Sequence, residues 1–510
     1  MDAYDRLYIV SDLHLGGAVE AAIFDSSKEL AALIRWAAAG STDERVGLVL
    51  CGDVVDFLAF PGAVYFNPGP AAQWLKQLAA PGHPVEEVFQ ALRDFTKAPG
   101  RRLVVVLGNH DIELALPEVR DTFWRLVASE DGAARSRVAF VFDGTGYRCE
   151  VGGRSVLCVH GNERDDWNVI DLDALRKYTR ELNAGRPPPE WQPNAGTRLV
   201  IDLMNRVKSR LPFVDLLKPE TSAVPNVLAA LSKERRGVGV SEALLDGARI
   251  AARKQYDRRR IELGILSSEG GETSGAVDIG EFSASFGGEA EARAAETPRS
   301  MSAEADELRD RVETAWRAKT RPIDLAGREG DVLGGLNSVA AFFGIDTVRN
   351  LREALLDAIG AEETFNARAH DETFHALDAW AGPCIDIAIA GHTHLERHCA
   401  RVRAEGVYFN SGTWIRLIKL KPKFLEERNF EVFLDKLTVD EMQKLDAAEV
   451  EGERLVMRRR TVVYVEWNRE RAEVHAGLRH VRDNADSGWP FEEQKETRPR
   501  DATTFRARGS

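Results

Sequence analysis

The sequence predicts an α/β fold: a mainly parallel sheet with helices on its faces, interrupted by a long helical stretch. Three observations carry this. Short apolar runs at Leu7–Val10, Val46–Cys51 and Leu103–Leu107 alternate with amphipathic segments at 27–39 and 85–96, the βαβαβ order of parallel sheets. Each run stops at polar side chains able to bind metal or move a proton, most densely at Gly108-Asn109-His110-Asp111. Strand character then lapses from Glu163 to about Pro383 and resumes at Ile385–Ala390.

The elements follow in order. Leu7–Val10 leads into Ser11-Asp12-Leu13-His14-Leu15-Gly16-Gly17. Residues 27–39 place Leu30, Leu33, Ile34 and Ala37 on one helical face. Val46–Cys51 ends in Gly52-Asp53-Val54-Val55-Asp56, and the proline-bearing stretch 57–70 reads as a loop. Val138–Phe142, Tyr147–Val151 and Ser155–Val159 are joined by Gly-containing turns, which predicts three antiparallel neighbours. The last runs into His160-Gly161-Asn162.

Residues 163–383 read as a helical insertion, with helical patterns at 171–183, 198–209, 225–235, 241–263, 301–318, 334–359 and 371–380. Within it, 266–300 is rich in Gly, Ser, Glu and Ala and reads as a disordered linker. Ile385–Ala390 ends in Gly391-His392-Thr393-His394, and Val407–Phe409 in Asn410-Ser411-Gly412-Thr413-Trp414. A smaller helical insertion is expected at 424–447 and a terminal hairpin at 461–467 and 472–476. The domain reading is therefore a core in two parts, 1–162 and 384–480, around the insertion, with 481–510 as a disordered tail.

Bulk composition narrows the function. The 510 residues carry a formal charge of −13, which weighs against nucleic-acid binding through a broad basic footprint. The five cysteines show no CxxC spacing and read as reduced, buried thiols. The N-terminus lacks a basic leader and no apolar run reaches membrane length. A cytoplasmic protein with no membrane span is the expectation.

The strand ends offer Asp12 and His14, Asp53, Asn109, His160, then His392 and His394. Asp12/His14 and His392/His394 are i, i+2 pairs, which face one side of an extended chain. Such a pair can serve one site or be split between two adjacent ions. Carboxylate, imidazole and amide oxygen suit Mn, Fe or Zn.

The order D-x-H, G-D-x-x-D, G-N-H-D, H-G and G-H-x-H resembles the calcineurin-like metallophosphoesterases, over roughly residues 6–162 and 385–476. The resemblance implies a β-sandwich flanked by helices with a two-metal site at one end of the sheets. It implies Asp12, His14 and His394 as ligands of the first ion, and Asp53 as the shared carboxylate. Asn109, His160 and His392 are then ligands of the second ion. His110 matches the proton donor and Asp56 its orienting carboxylate, although Asp56 also fits a turn cap. The implied cofactors are two divalent ions, Mn²⁺ first, with Fe, Zn or Mg as alternatives. Asp12 and Asp53 would offset two of the four positive charges, and the remainder favours activated water and a phosphate oxyanion.

The expected function is hydrolysis of a small-molecule phosphate ester, whether phosphomonoester, phosphodiester or pyrophosphate. The opening motifs also resemble the branch that cleaves UDP-diacylglucosamine, but that branch is far shorter and has arginine at the position of His110. The alternative is a non-catalytic or partner-regulated binding protein on the same fold, with the insertion docking a protein. Asp111 has no assigned role, and Asn410-Ser411-Gly412 fits a tight turn under the site. Arg164 could touch phosphate or form a surface ion pair. Trp167 and Trp414 fit either a pocket or the core. The Arg458-Arg459-Arg460 run reads as solvated.

Overall fold

The alternation Leu7-Tyr8-Ile9-Val10 decides the architecture. A three-residue strand β1 (Asp2–Tyr4) precedes β2 (Arg6–Val10). In this computed structural model, β2 sends Leu7 and Ile9 into one apolar layer and Tyr8 and Val10 into another, all four fully buried. A strand buried on both faces must lie inside a layered fold. The structure describes residues 1–165, 168–208, 211–218, 352, 355–356, 365–485, 488–492 and 502–506.

Strands β3 (Val46–Cys51), β4 (Arg101–Val106) and β5 (Val138–Val141) extend β2 in parallel, with Ile9 opposite Val49 and Val49 opposite Val104. The crossovers are helical: α1 (Ser27–Ala38), α2 (Ala71–Leu78), α3 (Glu86–Lys97) and α4 (Pro117–Ala128). Leu30, Leu33, Ile34, Phe89, Leu92 and Phe123 pack on the Tyr8/Leu48/Leu103 face of the sheet.

A second sheet has the order β1-β6-β7-β8-β10-β9. Its strands are β6 (Tyr147–Val151), β7 (Arg154–Cys158), β8 (Ile387–Ala390), β9 (Glu396–Ala400) and β10 (Val407–Ser411). β11 (Thr461–Asn468), β12 (Glu473–His480) and β13 (Ala502–Arg506) then complete the first sheet, antiparallel beyond β2. The sheets face each other across Leu7, Ile9, Val49 and Val104 on one side and Cys149, Val156, Ile387 and Phe409 on the other. The outer face of the second sheet, through Ala388, Ala390 and Tyr408, is covered by Phe374 and Leu377 of α6 (Glu372–Trp380). Leu175 and Tyr178 of α5 (Leu172–Asn183) join the helix layer of the first sheet.

The chain divides into two compact units. The first, Met1–Leu216, Glu363–Lys419 and Val439–Ser510, holds the sandwich. The second comprises Leu217–Glu362 and Leu420–Thr438. Its α7 (Glu427–Leu437) buries Phe430, Phe433 and Leu434, and Phe424 stacks on Phe433 at 5.6 Å.

Several expectations are corrected. β5 pairs in parallel with β4, not with β6, because α4 carries the chain back across the sheet. The loop after β5, with Gly144 and Gly146 at positive φ, then switches sheets, so only β6 and β7 form the predicted hairpin. Residues 163–216 and 363–383 lie in the first unit, so the second unit is narrower than the predicted 163–383. Of the predicted smaller insertion at 424–447, residues 424–438 fall in the second unit and 439–447 in the first. The tail 481–510 is not wholly disordered. Val481 bridges to a buried Phe491, and β13 pairs with β12 while Phe505 packs against the sandwich core. The arginine run is ion-paired instead of solvated: Arg458 binds Asp25 and Asp446, Arg459 lies 3.5 Å from Glu396, and Arg460 is buried beside Asp483. The predicted linker 266–300 lies outside the described residues, as do the helices at 225–235, 241–263 and 301–318 and most of 334–359.

Candidate metal centre

The polar residues converge because the backbone turns sharply where the strands end. Asp12, His14, Asp53, His392 and His394 all have positive φ, between 47° and 72°. A side chain makes that conformation costly, by about 1–3 kcal/mol each, so the surroundings must enforce it. Part of the enforcement is hydrogen bonding between loops. Asp12 N donates to Gly52 O at 3.1 Å, and His14 N to Asp53 O at 2.9 Å. His392 N donates to both Asp12 carboxylate oxygens, at 3.1 and 3.0 Å. Close approach requires glycine at two points. A Cβ on Gly108 would overlap Asp53 Oδ1, and one on Gly391 would lie 2.6 Å from Asp12 Oδ2.

Three overlapping groups result: Asp12, His14 and His394; His14, Asp53 and His110; Asp53, His160 and His392. Within each, the potential ligand atoms lie within 4.8 Å of one another. His14 Nε2 and His394 Nε2 face each other at 3.0 Å, and Asp12 Oδ1 is 3.4 Å from the latter. Asp53 Oδ2 is 3.1 Å from His160 Nε2 and 3.7 Å from His14 Nε2, so this carboxylate stands between the two outer groups. Asn109 is buried between Gly108 and His110, and both neighbours are pinned to aspartates: Gly108 N to Asp111 Oδ1 at 2.7 Å and His110 N to Asp53 Oδ1 at 2.9 Å.

The donor set fits divalent ions. Asn109 Oδ1 is buried without a hydrogen bond, a costly arrangement for an atom meant only to pack. His160 Nδ1 lies 2.9 Å from Cys51 O, which fixes the tautomer and turns the Nε2 lone pair toward Asp53. Oxygen and imidazole donors without thiolate suit Mn, Fe or Zn.

Electrostatics bind the cluster together. Burial would raise Asp53, but His160 and His110 hold its carboxyl well below the usual range. Asp12 is raised, chiefly by burial. His110 is pulled down by burial, yet Asp56 and Asp53 lift it to about 9. Asp56 Oδ1 is 3.0 Å from His110 Nδ1, and its Oδ2 is 3.4 Å from His14 Nδ1. The carboxylate thus touches two histidines, beyond capping its own turn through Leu58 N.

Other sequence-level alternatives resolve. Asp111 accepts from Gly108 N and Val54 N, stitching two strand-end loops together, and burial beside Asp53 pushes it up to about 7. Asn410 Nδ2 donates to Gly391 O at 2.7 Å and to Thr393 Oγ1 at 3.1 Å, which pins the His392/His394 turn from below. Arg164 stacks over Trp380 at 4.9 Å. Trp414 is fully buried and donates Nε1–H to Thr461 O. Trp167 lies outside the described residues. Sequence reasoning missed Ser11, whose hydroxyl bonds Asp12 Oδ2 and Ser411 Oγ. It also missed Asp165, whose Oδ2 is 2.8 Å from His392 Nε2. Ser11 adjoins a motif and could have been flagged; a lone aspartate in a polar stretch carries no signal.

Among the described residues, no helix is long and apolar enough to cross a membrane. A comparison with curated proteins returned no match. The family model described as calcineurin-like phosphoesterase matches residues 5–219.

Proposed function

Because residues 5–219 belong to the calcineurin-like phosphoesterases, we propose that this chain hydrolyses phosphoric esters with two divalent ions. Asp12, His14 and His394 would hold the first ion, Asn109, His160 and His392 the second, and Asp53 both. The observation that carries the reading is the position of Asp53, between two histidine groups with its Oδ2 3.1 Å from His160 Nε2 and 3.7 Å from His14 Nε2. Two such ions supply Lewis-acid charge to a phosphoryl oxygen and an activated water as nucleophile.

The chain's own residues do the rest. His110 holds a proton for the leaving oxygen. Asp56 takes the Nδ1 side of its ring, so Nε2 is the atom that delivers the proton. The ring's side chain is 18 % exposed, enough to meet a substrate. Asp56 also fixes the His14 ring, so one carboxylate aligns the proton donor with a ligand of the first ion. Ser11, Asp111 and Asn410 hold the loops that present these groups. The −13 charge favours a small ester over a nucleic acid.

The test is a screen with Mn²⁺ of phosphomonoesters, cyclic and linear phosphodiesters and nucleotide-sugar pyrophosphates, alongside elemental analysis. Two ions per chain and turnover of one class are expected. Two ions with no turnover of any class would favour a binding protein on this fold.

A further inference from the structure

The loop that leaves β7 controls both histidines of the second group. It begins at His160, and Gly161 passes beneath His392, with φ +120° and space for a Cβ only 3.1 Å from His392 Cβ. The chain then turns at Asp165, whose carbonyl accepts from Asn168 N at 2.9 Å and Val169 N at 2.8 Å. The Asp165 carboxylate is aimed by the same turn: Asn168 Nδ2 donates to Oδ2 at 2.7 Å. Asn168 is in turn tied back to Asn162, whose Nδ2 donates to Asn168 O at 3.1 Å. Oδ2 so positioned lies 2.8 Å from His392 Nε2.

We propose that Asp165 is the positioning residue of the second ion's site: it accepts the His392 Nε2–H and thereby commits Nδ1 to the metal. This rests on the two-ion reading above. A ring nitrogen that donates to a carboxylate cannot also coordinate, so the lone pair must be on the other nitrogen. Two neighbours hold the ring in place: the His392 main-chain N–H is bonded to Asp12, and the His160 ring lies edge-on at 5.3 Å. A carboxylate behind a ligating imidazole fixes its tautomer and orientation and raises its basicity. The two histidines of the second group are thus set by one short loop, His160 through the chain and His392 through Asp165. In the first ion's group, His14 Nε2 faces His394 Nε2 at 3.0 Å and Asp12 Oδ1 lies 3.4 Å from the latter.

The experiment compares Mn²⁺ binding to wild type, Asp165→Ala and Asp165→Asn by titration calorimetry, with elemental analysis after dialysis and thermal unfolding of each metal-free protein. Wild type must first show two ions; fewer would sink the two-ion reading itself, whatever Asp165 does. Given two, Asp165→Ala should weaken one ion by about 10–100-fold, the usual cost of losing such a partner, and leave the other within about threefold. Asp165→Asn keeps an oxygen acceptor and should recover much of the loss. Metal-free melting should be nearly unchanged, because Asp165 is a part-exposed loop residue. Two wild-type affinities in Asp165→Ala, or equal weakening of both ions, would overturn the assignment. So would weakening in Asp165→Asn as large as in Asp165→Ala, since the amide preserves the acceptor.

Discussion

Replacing His110 with alanine separates proton donation from every other role the residue could have. The variant should keep both ions, because the links that fix this backbone are not made by the ring. His110 N donates to Asp53 Oδ1 at 2.9 Å, and His110 O accepts from Phe57 N at 3.1 Å. Nor can a neighbouring ring take over the proton. His14, whose ring centroid is 4.8 Å away, already faces His394 with Nε2 and Asp56 with Nδ1. The full general-acid contribution should therefore be lost, about 10²–10⁴-fold in rate, or about 3–5 kcal/mol of barrier. That loss belongs to poor leaving groups. The assay is steady-state turnover of an alkyl phosphate ester and a nitrophenyl ester, with ions counted in the same preparations. The alkyl ester should slow by the full factor and the nitrophenyl ester by much less. Asp56→Asn should show the same leaving-group dependence in milder form, since an amide oxygen can still accept from Nδ1–H. Equal slowing of both esters with ions intact would mean that His110 binds phosphate. Loss of an ion would make it a ligand.

Asp53→Asn should weaken both ions together, read by elemental analysis; one ion retained at full occupancy would show that the carboxylate is not shared. Arg401→Met should destabilise the protein by about 3–5 kcal/mol in urea unfolding, the cost of leaving one partner of a buried ion pair uncompensated. Arg401 donates Nε–H to Asp378 Oδ1 at 2.8 Å and also caps Ile385 O and Gly382 O. Burial would raise Asp378, but Arg401 and the Arg403 and Val402 N–H groups hold it below the usual carboxylate range. A depressed native pKa gives stability that is complete above about pH 4 and lost as pH falls through the native value. The variant should therefore show a shallower acid-side loss than wild type; an identical acid limb would show that Asp378 is not held by Arg401.

The site was legible to the extent that its chemistry sits in short motifs at strand ends. Asp12, His14, Asp53, His392 and His394 each follow an apolar run, and the two faces of β2 could be read from four residues. What lay beyond the sequence depends on pairing across long separations. β5 looked like the first strand of a meander because it shares the short turns of β6 and β7; its partner is instead fixed by the α4 crossover. β13 was hidden by the polar composition around it, since Phe505 is the only large apolar side chain in Ala502–Arg506. Asp165 meets its histidine across 227 positions, and no local pattern encodes such a contact.

The layering has a consequence for how this protein melts. Asp12, His14, Asp53 and Asn109 hang from the first sheet, while His160, His392 and His394 hang from the second. On the proposed assignment each ion would draw donors from both layers, and would act as a rivet through the sandwich as well as a reagent. The apolar packing between the sheets is strong but indifferent to what lies at the rim. Loading a site to a hundred times its dissociation constant adds about 2.7 kcal/mol to folding, and two sites add separately. Cofactor supply would then govern how long the chain survives as well as how fast it turns over.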